Sequence, residues 1–189
     1  MFFRIFEDET RTILIVYVDD IILTGDNTVE VERLKLSLAT EFEVKDLEQL
    51  RYFLGMEVAR SRKGIIVSQR KYVLDLLTET GMLGCKSSDT PMEFGRKTDN
   101  VGKSVDKDRN QRLVGKLIYL LHTRPDIAFA VSVVSQHMHP PKEAHLEAVY
   151  RILRYLKGTP GKGLFFKRTE KRNVEIFTDV NWAGSMEKR

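Results

Sequence analysis

Two adjacent carboxylates, Asp19 and Asp20, interrupt an otherwise apolar stretch of this 189-residue chain. Thr12-Ile13-Leu14-Ile15-Val16 precedes Tyr17-Val18-Asp19-Asp20, and Ile21-Ile22-Leu23-Thr24-Gly25 follows it. Aspartate is depleted in strands and costly to bury without a partner, so propensity gives no reason for the pair to stand there. Two carboxylates held this close repel each other unless a cation lies between them, and hard oxygen donors suit Mg²⁺, with Mn²⁺ as a possible substitute. The plain alternative is a turn, because aspartate is a common turn residue. The apolar flanks and the preceding tyrosine favour the metal-binding reading.

The flanks are short and β-branched, which predicts two buried strands joined by a tight turn that presents both carboxylates at a sheet edge. Asn27 followed by Glu30 has capping-box spacing. Val31, Leu34, Leu38 and Phe42 then recur at helical spacing, with Glu30, Glu32, Arg33 and Lys35 expected to face water. Arg51 to Arg60 reads as one strand with Gly55 as a bulge or a point of close approach, and Arg62-Lys63-Gly64 as a turn into a strand at Ile65-Ile66-Val67. Ser68 is placed to cap a helix carrying Tyr72, Val73, Leu76 and Leu77 and closing at Gly81. Residues 84–105 lack periodicity and read as a long connecting loop. Three helices follow: one on Leu113, Leu117, Ile118 and Leu121; one opening at Pro125; and one on Leu146, Val149, Leu153 and Leu156, closing at Gly158.

Composition narrows the class of protein. Hydrophobic residues make up 42% and charged residues 31%, an ordinary globular balance. The net charge of +4 permits an anionic partner without demanding one. Cys85 is the single cysteine, so no internal disulfide forms, and a reducing, cytoplasmic setting is expected. No run approaches the roughly 18 apolar residues of a membrane span, so no membrane partner is expected. His137 and His139 have no cysteine or carboxylate at ligand spacing and imply no zinc. Cationic residues cluster twice. Arg60, Arg62, Lys63, Arg70 and Lys71 form one group; Arg151, Arg154 and Lys157 recur every three residues in the other, with Lys162, Lys167 and Arg168 beyond. Each reads either as a solvated face or as a nucleic-acid backbone contact.

Tyr17-Val18-Asp19-Asp20 resembles the YxDD box of reverse transcriptases, and Ile15 to Asp26 is similar to the Ty1/copia class of retrotransposon polymerases. Five more strings continue the likeness in the same order: Phe42 to Leu47, Tyr52 to Gly55, Leu113 to Leu117, Thr123 to Ile127 and Arg151 to Gly158. The chain departs from the pattern at Asn110, where an aromatic is usual, and at His137, Phe177 and Asn181.

The resemblance implies an α+β fragment of a Pol polyprotein. Residues 1–68 would be the end of a palm, 69–158 a helical thumb and connection, and 159–189 further connection and the truncated start of a ribonuclease H domain. Asp19 and Asp20 would be catalytic metal ligands, and Tyr17 and Val18 would shape the primer–template site. Tyr52, Phe53, Leu54 and Gly55 would belong to a primer-grip-like hairpin. Arg70, Lys71, Arg151, Arg154 and Lys157 would meet nucleic acid, and Asp179 would be a ribonuclease H metal ligand. The partners would be an RNA or DNA primer–template and deoxynucleotides, within a virus-like particle of an intact element. In the family a third catalytic carboxylate and the fingers lie upstream of the YxDD hairpin, before the equivalent of Met1. The 189 residues by themselves are therefore expected not to polymerise DNA, and the stretch after Gly158 to be poorly ordered alone. A non-catalytic nucleic-acid-binding remnant, or a decayed relic of a transposon, is the alternative reading.

Overall fold

The computed structural model describes residues 2–93 and 102–168. Asp179 and the strand expected at Val174 to Asp179 lie outside the described residues. The described chain is mixed α+β, with two antiparallel sheets and five α-helices.

The first sheet has the order β1 (Phe2–Ile5), β2 (Arg11–Tyr17), β3 (Asp20–Gly25). The β2–β3 hairpin expected from the apolar flanks is present, but it is not buried. Val16, Tyr17 and Ile21 are exposed, and most of the remainder is half-buried, because little packs against this sheet besides α1 (Thr28–Glu41). Asn27 caps α1 as its spacing predicts, accepting a hydrogen bond from the Glu30 backbone N–H at 3.0 Å. The Glu30 side chain was expected in water and is instead buried. Arg33 Nε donates to it at 2.6 Å and Arg4 Nη1 at 3.3 Å, so an acidic first-turn residue ties α1 to β1. The hydrogen bond from Arg33 leads the effects that hold the Glu30 carboxyl below its usual range.

The second sheet corrects two expectations. Arg51 to Arg60 is not one strand with a bulge but two strands, β4 (Tyr52–Phe53) and β5 (Met56–Ser61), with Phe53 paired to Met56. Leu54 and Gly55 form the two-residue loop between them, at φ +47° and +72°. Positive φ at both central positions is the tight-hairpin geometry that a glycine favours, and the sequence offers one. The order continues through β6 (Gly64–Ser68) to β7 (Gly163–Lys167). The chain after Gly158 is thus ordered at least to Arg168: β7 pairs along the whole of β6, from Gly64 with Lys167 to Ser68 with Gly163. Gly64 permits this approach, since a Cβ there would lie 2.1 Å from the Phe166 carbonyl oxygen.

Ser68 ends β6 and does not cap α2 (Arg70–Glu79), whose N-cap is Gln69. The first-turn amide of Lys71 instead donates to the Glu57 carboxylate of β5 at 2.7 Å, a favourable charge at a helix N-terminus. α3 (Lys107–Leu120) is capped by Asp106. Pro125 opens a 3₁₀ turn, Pro125–Ile127, that runs into α4 (Ala128–Ser135), and α5 (Glu143–Gly158) completes the helices. Among the described side chains, every buried apolar one lies between Val73 and Leu156, on α2 to α5 and the 3₁₀ turn. Each fully buried Leu, Ile or Val contributes roughly 1.5–3 kcal/mol, so this helical cluster is the stable body of the molecule.

Candidate nucleotidyl-transfer site

The β2–β3 hairpin closes on a two-residue loop, Val18-Asp19, with Tyr17 paired to Asp20. Asp19 lies in the loop and Asp20 opens β3 on the same face as Tyr17. Both carboxylates are exposed, and neither forms an ion pair with a described residue. Val18 is 80% exposed and sits at φ +49°, a conformation in which a β-branched residue is strained. Such strain clusters at functional turns, where the surrounding ladder enforces it. The donor set fits a hydrated hard cation, because both aspartates are open to water and free of competing cationic side chains. Among the described residues, no group of three or more His, Cys, Asp or Glu side chains gathers at a metal-binding distance.

Tyr119 of α3 was not singled out in the sequence, yet it anchors the Leu54-Gly55 loop. Its hydroxyl donates to the Leu54 carbonyl of the Leu54-Gly55 loop, and its ring atoms lie 3.6 Å from where a Gly55 Cβ would stand. Tyr72 packs against it at 5.2 Å between ring centroids, and His122 meets it edge-on at 5.7 Å. Burial pushes the Tyr119 phenol up, and the nearby Tyr17 and Tyr52 hydroxyls push it further. Tyr17 of the Asp-Asp hairpin and Tyr52 of the second hairpin therefore approach the same side chain. The available signal was the adjacent string Leu113 to Leu117, whose helical period carries Tyr119 onto the flank of the buried stripe.

The cationic residues are less open than their spacing implied. Arg151 donates to Glu93 at 2.8 Å and to Thr90 at 3.1 Å. Arg154 donates to Glu147, and Lys157 to the Cys85 carbonyl. The stripe on α5 thus holds the 85–93 segment in place, and a duplex would have to displace these contacts. Lys71 pairs with Asp75 at 2.7 Å, whereas Arg70 is exposed. A groove of about 610 Å³ between Pro91, Met92 and the α4–α5 pair shares no residue with the aspartate hairpin.

A second unanticipated constellation is structural. Arg124, 1% exposed, grips Asp126 through Nε and Nη2 at 2.9 and 3.0 Å and donates to the Thr159 carbonyl at 2.9 Å. Asp126 also accepts from the Tyr155 hydroxyl at 2.8 Å and lies 3.1 Å from Lys162 Nζ. Burial raises the Asp126 carboxyl, but the bonds from Arg124, Tyr155 and Lys162 outweigh it and hold the group well below the usual carboxylate range.

The mixed α+β architecture is consistent with part of a reverse transcriptase. Residues 1–94 match the family model described as reverse transcriptase (RNA-dependent DNA polymerase). The chain belongs to the Ty1/copia-type retrotransposon reverse transcriptase family. It is 44% identical, over 90% of its length, to the retrovirus-related Pol polyprotein from transposon RE1 of Arabidopsis thaliana, of which it spans 12%. It is 40% identical to the mitochondrial protein AtMg00810 of the same plant, covering 90% of this chain and 72% of that one. Against the Pol polyprotein from transposon TNT 1-94 of Nicotiana tabacum it is 34% identical over its whole length, which is 15% of that protein. No solved structure matches it. Reverse transcriptases use divalent metal ions and act on nucleic acids and nucleotides. No described helix is long and apolar enough to cross a membrane.

Proposed function

We propose that this chain carries the metal-binding edge of an RNA-directed DNA polymerase, with Asp19 and Asp20 as Mg²⁺ ligands. The observation that carries the reading is the Val18-Asp19 loop, whose enforced positive φ sets two unpaired carboxylates beside Tyr17. Mg²⁺ there would offset negative charge on the reacting phosphate and make the primer hydroxyl easier to deprotonate. The residues of the chain do the positioning. Tyr17 flanks the ion on the same sheet face as Asp20, and the Leu54-Gly55 loop, pinned by Tyr119, would hold the primer end within reach. Residues 1–68 would act as palm, 69–158 as thumb and connection, and 159–189 as the start of a ribonuclease H domain, with β7 returning to the palm-side sheet. Primer–template and deoxynucleotides would be the substrates.

Two measurements test this. In the 189-residue chain, Mn²⁺ should broaden the amide resonances of 18–21 first, and Asp19→Asn should remove that selectivity. Joined to the upstream palm of a relative, the chain should extend a primer, and Asp19→Asn, which keeps the size and removes the charge, should abolish extension. Full activity of that variant would reduce the hairpin aspartate to a turn residue. Because in-line transfer needs two ions and a positioned nucleotide, the 189 residues alone should not extend a primer.

A further inference from the structure

The pairing of β7 with β6 assembles a surface that neither segment has by itself. Arg62 and Lys63 form the β5–β6 turn, and the Arg168 backbone N–H donates to the Lys63 carbonyl at 2.9 Å, which draws Lys167 and Arg168 beside them. Arg60, three residues before Lys63, adds a fifth cation on the other face of the sheet, in the row of Ile65 and Phe166. None of the five forms an ion pair with a described residue. The four around the turn come as two adjacent pairs, and about a hundred residues separate the turn from the end of β7. Next to them the sheet is open. Phe165 lies two residues from Lys167 on β7 and so shares its face, about 7 Å along the strand. Phe165 is 53% exposed, and Ile66, its neighbour across the ladder, is 42% exposed, with Ala59 completing the row.

We infer that this end of the second sheet is a platform for single-stranded nucleic acid, with phosphates on Arg62, Lys63, Lys167 and Arg168 and a base stacked on Phe165. The inference rests on the nucleic-acid reading given above and narrows it. Four uncompensated cations call for a polyanion. An open phenylalanine beside them selects among polyanions, because a flat apolar ring gains by covering a base face. In a duplex the base faces are hidden within the stack; in a single strand they are available. The structure thereby distinguishes this site from the aspartate hairpin, where no exposed cation stands next to the carboxylates.

The test is a fluorescence titration of the full 189-residue chain with a 12-nucleotide oligothymidylate, an abasic oligomer of equal length, and a primer–template duplex. Phe165→Ala should weaken oligothymidylate binding about tenfold and leave the abasic oligomer unchanged, while Phe165→Trp keeps the wild-type affinity. Arg62→Ala with Lys63→Ala, both in an exposed turn, should weaken both oligomers and lower the log–log salt slope by about 1.4. Circular dichroism of each variant separates a lost contact from a lost fold, and the turn variant stands as an independent readout if Phe165→Ala unfolds. Unchanged oligothymidylate binding in both the Phe165→Ala and the turn variants overturns the platform. So does an equal loss of abasic binding in Phe165→Ala, or a duplex bound more tightly and with the same sensitivities. Primer–template binding by a chain that binds neither oligomer would remove the platform alone, whereas a wild-type chain that binds none of the three would remove the broader reading with it.

Discussion

Val18 and Asn110 each occupy a position that suits another residue better, for different reasons. Val18 holds φ +49° in a loop whose first central position favours glycine. The strain costs about 1–3 kcal/mol, and glycine would lose part of that gain to its own chain entropy. Val18→Gly should therefore stabilise the hairpin by about 1 kcal/mol, seen as roughly fivefold slower amide exchange in β2 and β3; faster exchange would mean that the valine side chain contributes more than its strain costs. Asn110 is 1% exposed on α3 with its side-chain oxygen lacking a hydrogen-bond partner. Asn110→Leu keeps the branched four-atom shape and removes the buried acceptor. It should stabilise the chain by about 1–3 kcal/mol in denaturant unfolding. A loss of stability would show that the amide is satisfied in solution.

At the scale of elements, the junction of the 3₁₀ turn, α4 and the end of α5 depends on one anion. Asp126 gathers Arg124, Tyr155 and Lys162, while Arg124 also reaches the Thr159 carbonyl beyond the end of α5. Its carboxyl is depressed in the folded chain, so its contribution is complete above the unfolded value near 4 and is lost as pH falls through the folded one. Wild type should be the more stable at pH 7, and the difference from Asp126→Asn should narrow as pH falls below about 4. A difference that stays constant across acid pH would show that Asp126 acts through shape alone. Arg124 is spaced to be read as part of a family string, but its guanidinium also donates to the Thr159 carbonyl, 35 residues on, and no local pattern announces that partner.

Across the whole molecule, stability is unevenly distributed. The buried apolar side chains sit on α2 to α5 and the 3₁₀ turn, whereas the first sheet and α1 leave Phe2, Ile5, Val16, Val29 and Leu36 exposed. Hydrogen exchange should be slowest in the Val149–Leu156 part of α5 and fastest in β1 to β3, because opening the first sheet uncovers little apolar surface. Equal protection in the two regions would mean that a further interface covers the first sheet in solution. The aspartates are thus carried on the least buried part of the fold.

Local pattern determined much of this protein. Short β-branched runs marked the hairpin around Asp19 and Asp20, Asn27 marked the start of α1, and the 3.6-residue period marked α2, α3 and α5, because each depends on residues close together in sequence. Gly55 was read as a bulge or a close approach; the close approach to Tyr119 is present, but a bulge and a two-residue loop share a glycine signal and differ only in which strands pair. The exposure of the YVDD strands, the burial of Glu30 and the occupied state of Arg151, Arg154 and Lys157 depended on what packs nearby. Tertiary structure alone decided that β7 completes the sheet begun by β4, and that Tyr119 pins the Leu54-Gly55 loop. Both are contacts between residues 65 or more positions apart, whose pairing is set by the closing of the helical core and leaves no periodic trace in the chain.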